Sequence, residues 1–107
     1  MAPPELQVAI EEVDGVVRVI CSGEVDILTA PSLEEALRDA YTRSAASLQL
    51  DLRGVTFFDS QGVRVLVAMT RRAGESGVPI SVTASPIVRR VIEVSGIAGW
   101  VDLQPEA

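Results

Sequence analysis

The apolar residues of this chain switch repeatedly between two spacings, every second residue and every third or fourth residue, along its 107 residues. A period of two is typical of a strand with one buried face, and a period near 3.6 is typical of an amphipathic helix. The first two segments, residues 6–13 and 16–25, are strand-like and are separated by Asp14-Gly15. Both of these residues tolerate positive φ, so the pair predicts a tight β-hairpin turn.

Helix-like segments follow the hairpin. The first begins near Pro31, and its apolar face consists of Leu33, Ala36, Leu37, Ala40 and Tyr41. The second begins close to Ser60 and ends between Gly74 and Gly77. We expect its inward face to consist of Val63, Leu66, Val67 and Thr70. The third begins at Ser85-Pro86, an N-cap followed by proline at the first helical position, and is closed by Gly96.

Strand-like segments at residues 47–52 and 78–83 separate these helices, and a last one at residues 100–103 follows them. The predicted order is ββαβαβαβ, an α/β fold with a mixed, mostly parallel sheet, right-handed crossovers and an antiparallel hairpin at its start. We expect Trp100 to fill the core beneath the last strand. A length of 107 residues suits one domain, placed at 1–107 with an ordered core at about 5–104.

Charge and composition exclude several function classes. The net charge of −6 argues against nucleic acid as a partner, and no apolar stretch approaches the roughly twenty residues of a membrane span. All nine cations are arginine, so the chain lacks the histidine or lysine that Ser-His-Asp, Cys-His, Ser-Lys and P-loop chemistry require. One cysteine without histidine cannot build a structural zinc site. We expect a cytoplasmic protein that is not an enzyme, with no metal, cofactor, nucleic-acid partner or membrane partner.

Ser60 occupies an informative position within the stretch DLRGVTFFDSQGVRVL. It follows the carboxyl end of a predicted strand and precedes a predicted helix, where open α/β sheets carry their functional loops. A serine there also serves as an ordinary helix N-cap. The position alone leaves a functional role and a capping role equally open.

Three stretches resemble the STAS domain family, and within it the stand-alone bacterial anti-sigma factor antagonists. GEVDILTAPSLEEAL resembles the family's Gly-Glu-hydrophobic-Asp segment that leads through Thr-Ala into the first helix. LDLRGVTFFDSQGVRVLV resembles the strand, the Gly turn and the Asp-Ser-x-Gly motif, and VIEVSGI resembles the closing helix with its glycine. The three stretches occur in the family's order and span nearly the whole chain.

The resemblance implies a small switch protein. Such a protein binds an anti-sigma factor, which is a serine kinase of the histidine-kinase-like ATPase type, and thereby releases a sigma factor. The kinase phosphorylates the serine of the motif, here Ser60, and a serine phosphatase later restores it. By the same resemblance, the residues expected to bind the partner are Asp26, Thr29, Phe58, Asp59, Gln61, Gly62 and Arg64.

Some of these residues have a second interpretation. Thr29 is equally suited to cap the first helix. Phe57 and Phe58 point opposite ways along an extended segment, so we expect one in the core and one partly exposed, and either can anchor a partner. Gln61 and Arg64 depart from the family pattern, which often has a hydroxyl residue and a small residue at these positions. Arg64 lies at i+4 from Ser60, within reach of a phosphate or a partner carboxylate, or is simply a solvated surface arginine.

Three alternative functions remain at this stage. STAS domains also act as scaffolds or ligand-sensing modules in larger regulatory assemblies. A phosphoacceptor of the receiver type would use Asp51 or Asp59 with Mg²⁺, but receiver chemistry wants a lysine that this chain lacks. A hydrolase built on Asp59-Ser60 has no conventional base.

Overall fold

A computed structural model describes residues 5–43 and 46–105 of the chain. The elements in chain order are β1 Gln7–Val13, β2 Val16–Val25, α1 Ala30–Tyr41, β3 Ser47–Phe58, α2 Ser60–Ser76, β4 Ile80–Ala84 and α3 Pro86–Val94. The strands form one sheet in the order β1-β2-β3-β4. β1 pairs antiparallel with β2, whereas β2–β3 and β3–β4 are parallel. The predicted α/β class and the mixed, mostly parallel sheet are confirmed.

The hairpin at the start of the sheet forms at the predicted turn. Val13 pairs with Val16, so the turn contains two residues. Asp14 and Gly15 have φ of 52° and 81°. Positive φ at both central residues is the geometry that matches the twist of the two strands, which is why Asp-Gly is favoured there.

The core lies between one face of the sheet and the helices. Buried side chains alternate along the parallel strands, at Val17, Val19, Cys21, Leu48, Leu50, Leu52, Ile80, Val82 and Ala84. The helices cover them with Leu33, Leu37 and Ala40 of α1, Val65, Leu66 and Met69 of α2, and Val88 and Ile92 of α3. All of these side chains belong to one apolar cluster.

The predicted inward face of α2 is confirmed at Leu66 and wrong at Val63, Val67 and Thr70. The buried residues of this helix are Gly62, Val65, Leu66 and Met69, whereas Val63, Val67 and Thr70 are only half-buried. The helix turns this face to the core because Gly62 lets it approach the Phe58 ring closely. A glycine carries no apolar signal, so the periodicity of the sequence points to the neighbouring stripe.

The last predicted strand is also corrected. Residues 100–103 form no extended strand, and only an isolated parallel bridge joins Leu103 to Val82. Two backbone hydrogen bonds make it, from Val82 N to the Asp102 carbonyl at 2.9 Å and from Gln104 N to the Val82 carbonyl at 2.8 Å. Trp100 lies in the preceding turn and is 66% exposed, so it does not fill the core.

Candidate functional site

The ends of β2 and β3 place two loops side by side. Glu24 pairs with Phe57 and Val25 pairs with Phe58, so both strands finish at the same edge of the sheet. The 26–29 loop continues from β2 into α1, and Asp59 alone connects β3 to α2. The predicted site residues therefore gather at one edge, where parallel sheets carry their functional loops.

Asp59 is the N-cap of α2, and Ser60 is the first helical residue. The Asp59 backbone is extended, with φ of −120°, and its side chain accepts a hydrogen bond from Gln61 N at 2.9 Å. The capping role that the sequence left open for Ser60 thus belongs to its neighbour. Ser60 is exposed, and within residues 5–43 and 46–105 its hydroxyl makes no hydrogen bond. The hydroxyl is accessible to a modifying enzyme.

Phe58 and Gly62 lie beneath this surface and support it. Phe58 is only 4% exposed and Gly62 is buried, so neither presents a surface to a partner, contrary to the predicted partner-binding set. A Cβ at Gly62 would stand 2.4 Å from Phe58 Cε1, well inside contact distance. The glycine is required because α2 begins directly over the phenyl ring.

Asp26 and Thr29 hold the 26–29 loop together. The Asp26 carboxylate accepts hydrogen bonds from Leu28 N at 2.9 Å and Thr29 N at 3.1 Å. The Thr29 hydroxyl donates to the Glu24 carbonyl at 2.7 Å and accepts from Asp26 N at 3.0 Å. Thr29 occupies the N-cap position of α1, yet its side chain makes no capping hydrogen bond. Both side chains are thus engaged in fixing the shape of the loop.

That loop presents two apolar side chains which sequence reasoning missed. Ile27 is 70% exposed and Leu28 is 84% exposed. Phe57, at the end of the adjacent strand, is 44% exposed, which confirms that one phenylalanine of the pair points outward. The sequence did contain a signal for this exposure, because Ile27 and Leu28 lie between Asp26 and Thr29. Apolar residues in a four-residue loop that is fixed by two polar side chains cannot reach the core.

Gln61 and Arg64 lie on the first turns of α2 and contact each other. Arg64 Nη1 donates a hydrogen bond to Gln61 Oε1 at 3.1 Å. Both side chains line a groove of about 380 Å³ between α1 and α2, together with Ile27, Ala30, Pro31, Glu34, Val65 and Ala68. The two departures from the family pattern therefore lie next to Ser60 and contribute to the same groove.

We call this region the Ser60 surface and define it as Ile27, Leu28, Phe57, Ser60, Gln61 and Arg64. It combines an accessible hydroxyl with apolar side chains and a groove. Of the predicted residues, the structure brings Ser60, Gln61 and Arg64 together at this surface, and it places Asp26, Thr29 and Asp59 as the residues that shape it.

The environment of Asp51 differs from that of a phosphoacceptor aspartate. Its carboxylate is buried and accepts hydrogen bonds from Arg53 Nε at 3.0 Å, Arg53 Nη2 at 2.8 Å and Arg18 Nη2 at 3.3 Å. The hydrogen bonds from Arg53 hold the pKa of Asp51 below its usual range, although burial works in the opposite direction. Asp51 therefore forms structural ion pairs with Arg53 and Arg18, which argues against the receiver-type alternative. Burial, and then the Asp51 charge, raise the pKa of the nearby Cys21 thiol to about 12.

Residues 5–43 and 46–105 offer neither a metal-binding cluster nor a membrane-spanning helix. No cluster of three or more cysteine, aspartate or glutamate side chains is placed to hold a metal ion. None of the helices is both long enough and apolar enough to cross a bilayer.

Several known proteins with similar sequence or structure are named anti-sigma factor antagonists. The chain is 31% identical over 96 residues to the anti-sigma-F factor antagonist RsfB of Mycobacterium tuberculosis, covering 90% of this chain and 79% of that protein. A solved anti-sigma factor antagonist from Mycobacterium paratuberculosis matches with a TM-score of 0.88 at 35% identity, covering 98% of this chain and 90% of the other. The phosphorylated form of SpoIIAA from Bacillus shares the fold, with a TM-score of 0.69 at 20% identity and coverage of 94% and 93%.

A family model described as "Mlab, STAS domain" matches residues 6–105. This range includes both loops and every residue of the Ser60 surface. The predicted resemblance is confirmed: the chain belongs to the STAS domain family, and its relatives are regulatory proteins that antagonise anti-sigma factors.

Proposed function

We propose that this protein is an anti-sigma factor antagonist controlled by phosphorylation of Ser60. It binds an anti-sigma factor, a serine kinase of the histidine-kinase-like ATPase type, and the sigma factor is released in the cytoplasm. The kinase phosphorylates Ser60 and the complex dissociates until a serine phosphatase removes the phosphate. The names of the relatives from Mycobacterium support the antagonist function.

The observation that carries the proposal is the state of Ser60. Its hydroxyl is exposed and engaged in no hydrogen bond within the described residues, because Asp59 caps the helix in its place. A serine needed only for the fold would be occupied in the way that Ser85 is, whose Oγ donates to the Val55 carbonyl at 2.7 Å. Ser60 is instead available for chemistry.

The surroundings of Ser60 explain how a phosphate would block docking. A partner that covers Ile27, Leu28 and Phe57 gains affinity from the burial of apolar surface. A phosphoserine among them carries about −1.5 to −2 charges at neutral pH. Docking would then require desolvation of that charge, which is costly.

The phosphorylated domain itself should remain folded. The phosphate would lie at the N-terminus of α2, where the helix dipole favours an anion. Asp59 repels it, but solvent and salt screen this repulsion at an exposed position. We therefore expect the far-UV circular dichroism of the phosphorylated and unmodified proteins to superimpose, and a large loss of helical signal would refute a purely surface effect.

An affinity pull-down from lysate of the native organism tests the function. Baits are the wild-type protein, Ser60→Asp, and the matched control Ser76→Asp, which adds the same charge at the opposite end of α2. We expect wild type and Ser76→Asp to retain a small ATPase-like kinase, identified by mass spectrometry, and Ser60→Asp to lose it.

Other outcomes would assign a different function. Retention of other STAS proteins without a kinase would favour the scaffold or sensing alternative. Equal retention of the kinase by all three baits would show that kinase binding does not depend on the charge at position 60.

A further inference from the structure

We propose that, when Ser60 is phosphorylated, the Arg64 side chain gives up its hydrogen bond to Gln61 and binds the phosphate instead. This inference rests on the phosphorylation of Ser60 proposed above and names the residue of this chain that binds the phosphate. Arg64 then acts as a positioning residue, because it fixes where the phosphate lies relative to the groove between α1 and α2.

The position of the guanidinium supports this assignment. Residues four apart on a helix lie on the same side, about 6 Å apart at their Cβ atoms, and long side chains lean toward the helix N-terminus. Arg64 already follows this direction, because its Nη1 atom reaches Gln61 Oε1, one residue from Ser60, at 3.1 Å. A change in the side-chain torsion angles of Arg64 that moves the guanidinium from Gln61 to the adjacent residue would bring it to a phosphate on Ser60.

The chemistry favours the exchange of partners. In the unmodified protein, Arg64 makes one hydrogen bond to a neutral amide oxygen, and its other N–H groups have no acceptor among residues 5–43 and 46–105. A phosphate offers three charged oxygens in a geometry that a guanidinium binds with paired hydrogen bonds. A charge-assisted pair of this kind is stronger than a bond to an amide, so the phosphate wins the competition for Arg64.

The exchange alters the surface that a partner would read. Gln61 and Arg64 both line the groove of about 380 Å³, and Glu34 lies across it on α1. When Arg64 turns to the phosphate, the groove loses its cation and Gln61 loses its hydrogen-bond donor. Phosphorylation thus changes both the charge at Ser60 and the shape of the adjacent groove.

The test measures the phosphate directly and needs no partner protein. Phosphoserine is incorporated at position 60 during translation, and its second pKa, ordinarily near 6, is followed by ³¹P NMR in low salt. An adjacent arginine stabilises the dianion, so we expect Arg64→Gln to raise this pKa by about half a unit, the size of a solvent-exposed ion pair. The Arg64 Nε–Hε resonance of the unsubstituted phosphoprotein should titrate with the same midpoint.

The matched control is Arg71→Gln, which removes an exposed arginine further along the same helix. It should leave the pKa of the phosphate unchanged. Asp59 precedes Ser60, Asp26 lies in the neighbouring loop and Glu34 lies across the groove from Arg64. All three carboxylates are present in every variant, so their influence is common to all. Arg64→Lys keeps the charge without the planar fork and should restore part of the shift.

Two results would overturn the inference. One is an unchanged pKa of the phosphate in Arg64→Gln. The other is an equal shift of this pKa in Arg64→Gln and Arg71→Gln, which would show that it depends only on the net charge of the protein. A failure of the antagonist function would appear in the pull-down and would leave this titration as it is.

Discussion

Replacement of Gly62 by alanine should destabilise the domain at the edge of the sheet that carries Ser60. A Cβ at this position would stand 2.4 Å from Phe58 Cε1 and 2.5 Å from Phe58 Cζ, whereas carbon atoms pack at about 3.5–4.0 Å. The contact must open by more than about 1 Å. Because Phe58 is enclosed in the core, its ring cannot simply swing into solvent, and α2 must move away from the sheet.

The magnitude follows from two opposing effects. Overpacking of a core contact costs about 1–3 kcal/mol. Alanine is a better helix former than glycine by up to about 1 kcal/mol, which offsets part of that cost. We expect the free energy of unfolding to fall by about 1–2 kcal/mol. In urea, this corresponds to a transition midpoint lower by roughly 1 M for a domain of this size.

Gly74→Ala provides a matched control in the same helix. Nothing lies within 4 Å of a Cβ built at Gly74, so this substitution should stabilise the protein by about 0.5 kcal/mol through helix propensity alone. Urea denaturation followed by circular dichroism would measure both variants. Opposite signs are expected, and equal effects of the two substitutions would refute the close-packing argument.

A double-mutant cycle isolates the contact itself. Phe58→Leu removes the ring atoms that a Cβ at Gly62 would meet. In the Phe58→Leu background, Gly62→Ala should cost at least about 1 kcal/mol less than in the wild type. Additive effects would show that the cost of alanine arises elsewhere than at the phenyl ring.

The ion pair, the buried thiol and the loop give further predictions. Because Arg53 lowers the pKa of Asp51 in the folded state, Asp51 contributes stability that is present above its unfolded pKa and is lost as pH falls. Thermal unfolding should therefore show a smaller loss of stability between about pH 5 and pH 2 for Asp51→Asn than for wild type. The Cys21 thiol, with its pKa raised to about 12, should react with a disulfide reagent at pH 8 only as fast as the protein unfolds. Thr29→Val leaves the Glu24 carbonyl without its donor and should cost about 1–2 kcal/mol in urea denaturation, whereas Thr29→Ser should cost less.

Elements with strong local signals were predictable from the sequence. Asp14-Gly15 fixed the hairpin, because the φ values that a two-residue turn needs depend on those two residues alone. Ser85-Pro86 marked the start of α3 for the same kind of reason, since a cap and a first-turn proline act within a few residues. The end of α2 at Gly77, which has a φ of 76°, was equally local.

The candidate site was predictable in part. The Asp-Ser-x-Gly motif identified Ser60, but the choice between a functional serine and a cap depended on whether Asp59 or Ser60 turned its side chain to the helix. The exposure of Ile27 and Leu28 was not predicted, because an apolar residue is expected inside until the loop that carries it is known to be closed by Asp26 and Thr29.

The sequence by itself determined the order of the first seven elements, the hairpin, the start of α3, the end of α2 and the position of Ser60 at a strand-to-helix junction, since each depends on residues close along the chain. Only the tertiary structure decided which face of α2 turns inward, that Phe58 is buried while Phe57 is exposed, and that Trp100 lies outside the core. These outcomes depend on contacts between distant segments. The fit of the Phe58 ring over Gly62 sets the rotation of the helix, and no pattern within one segment carries the shape of the surface it packs against.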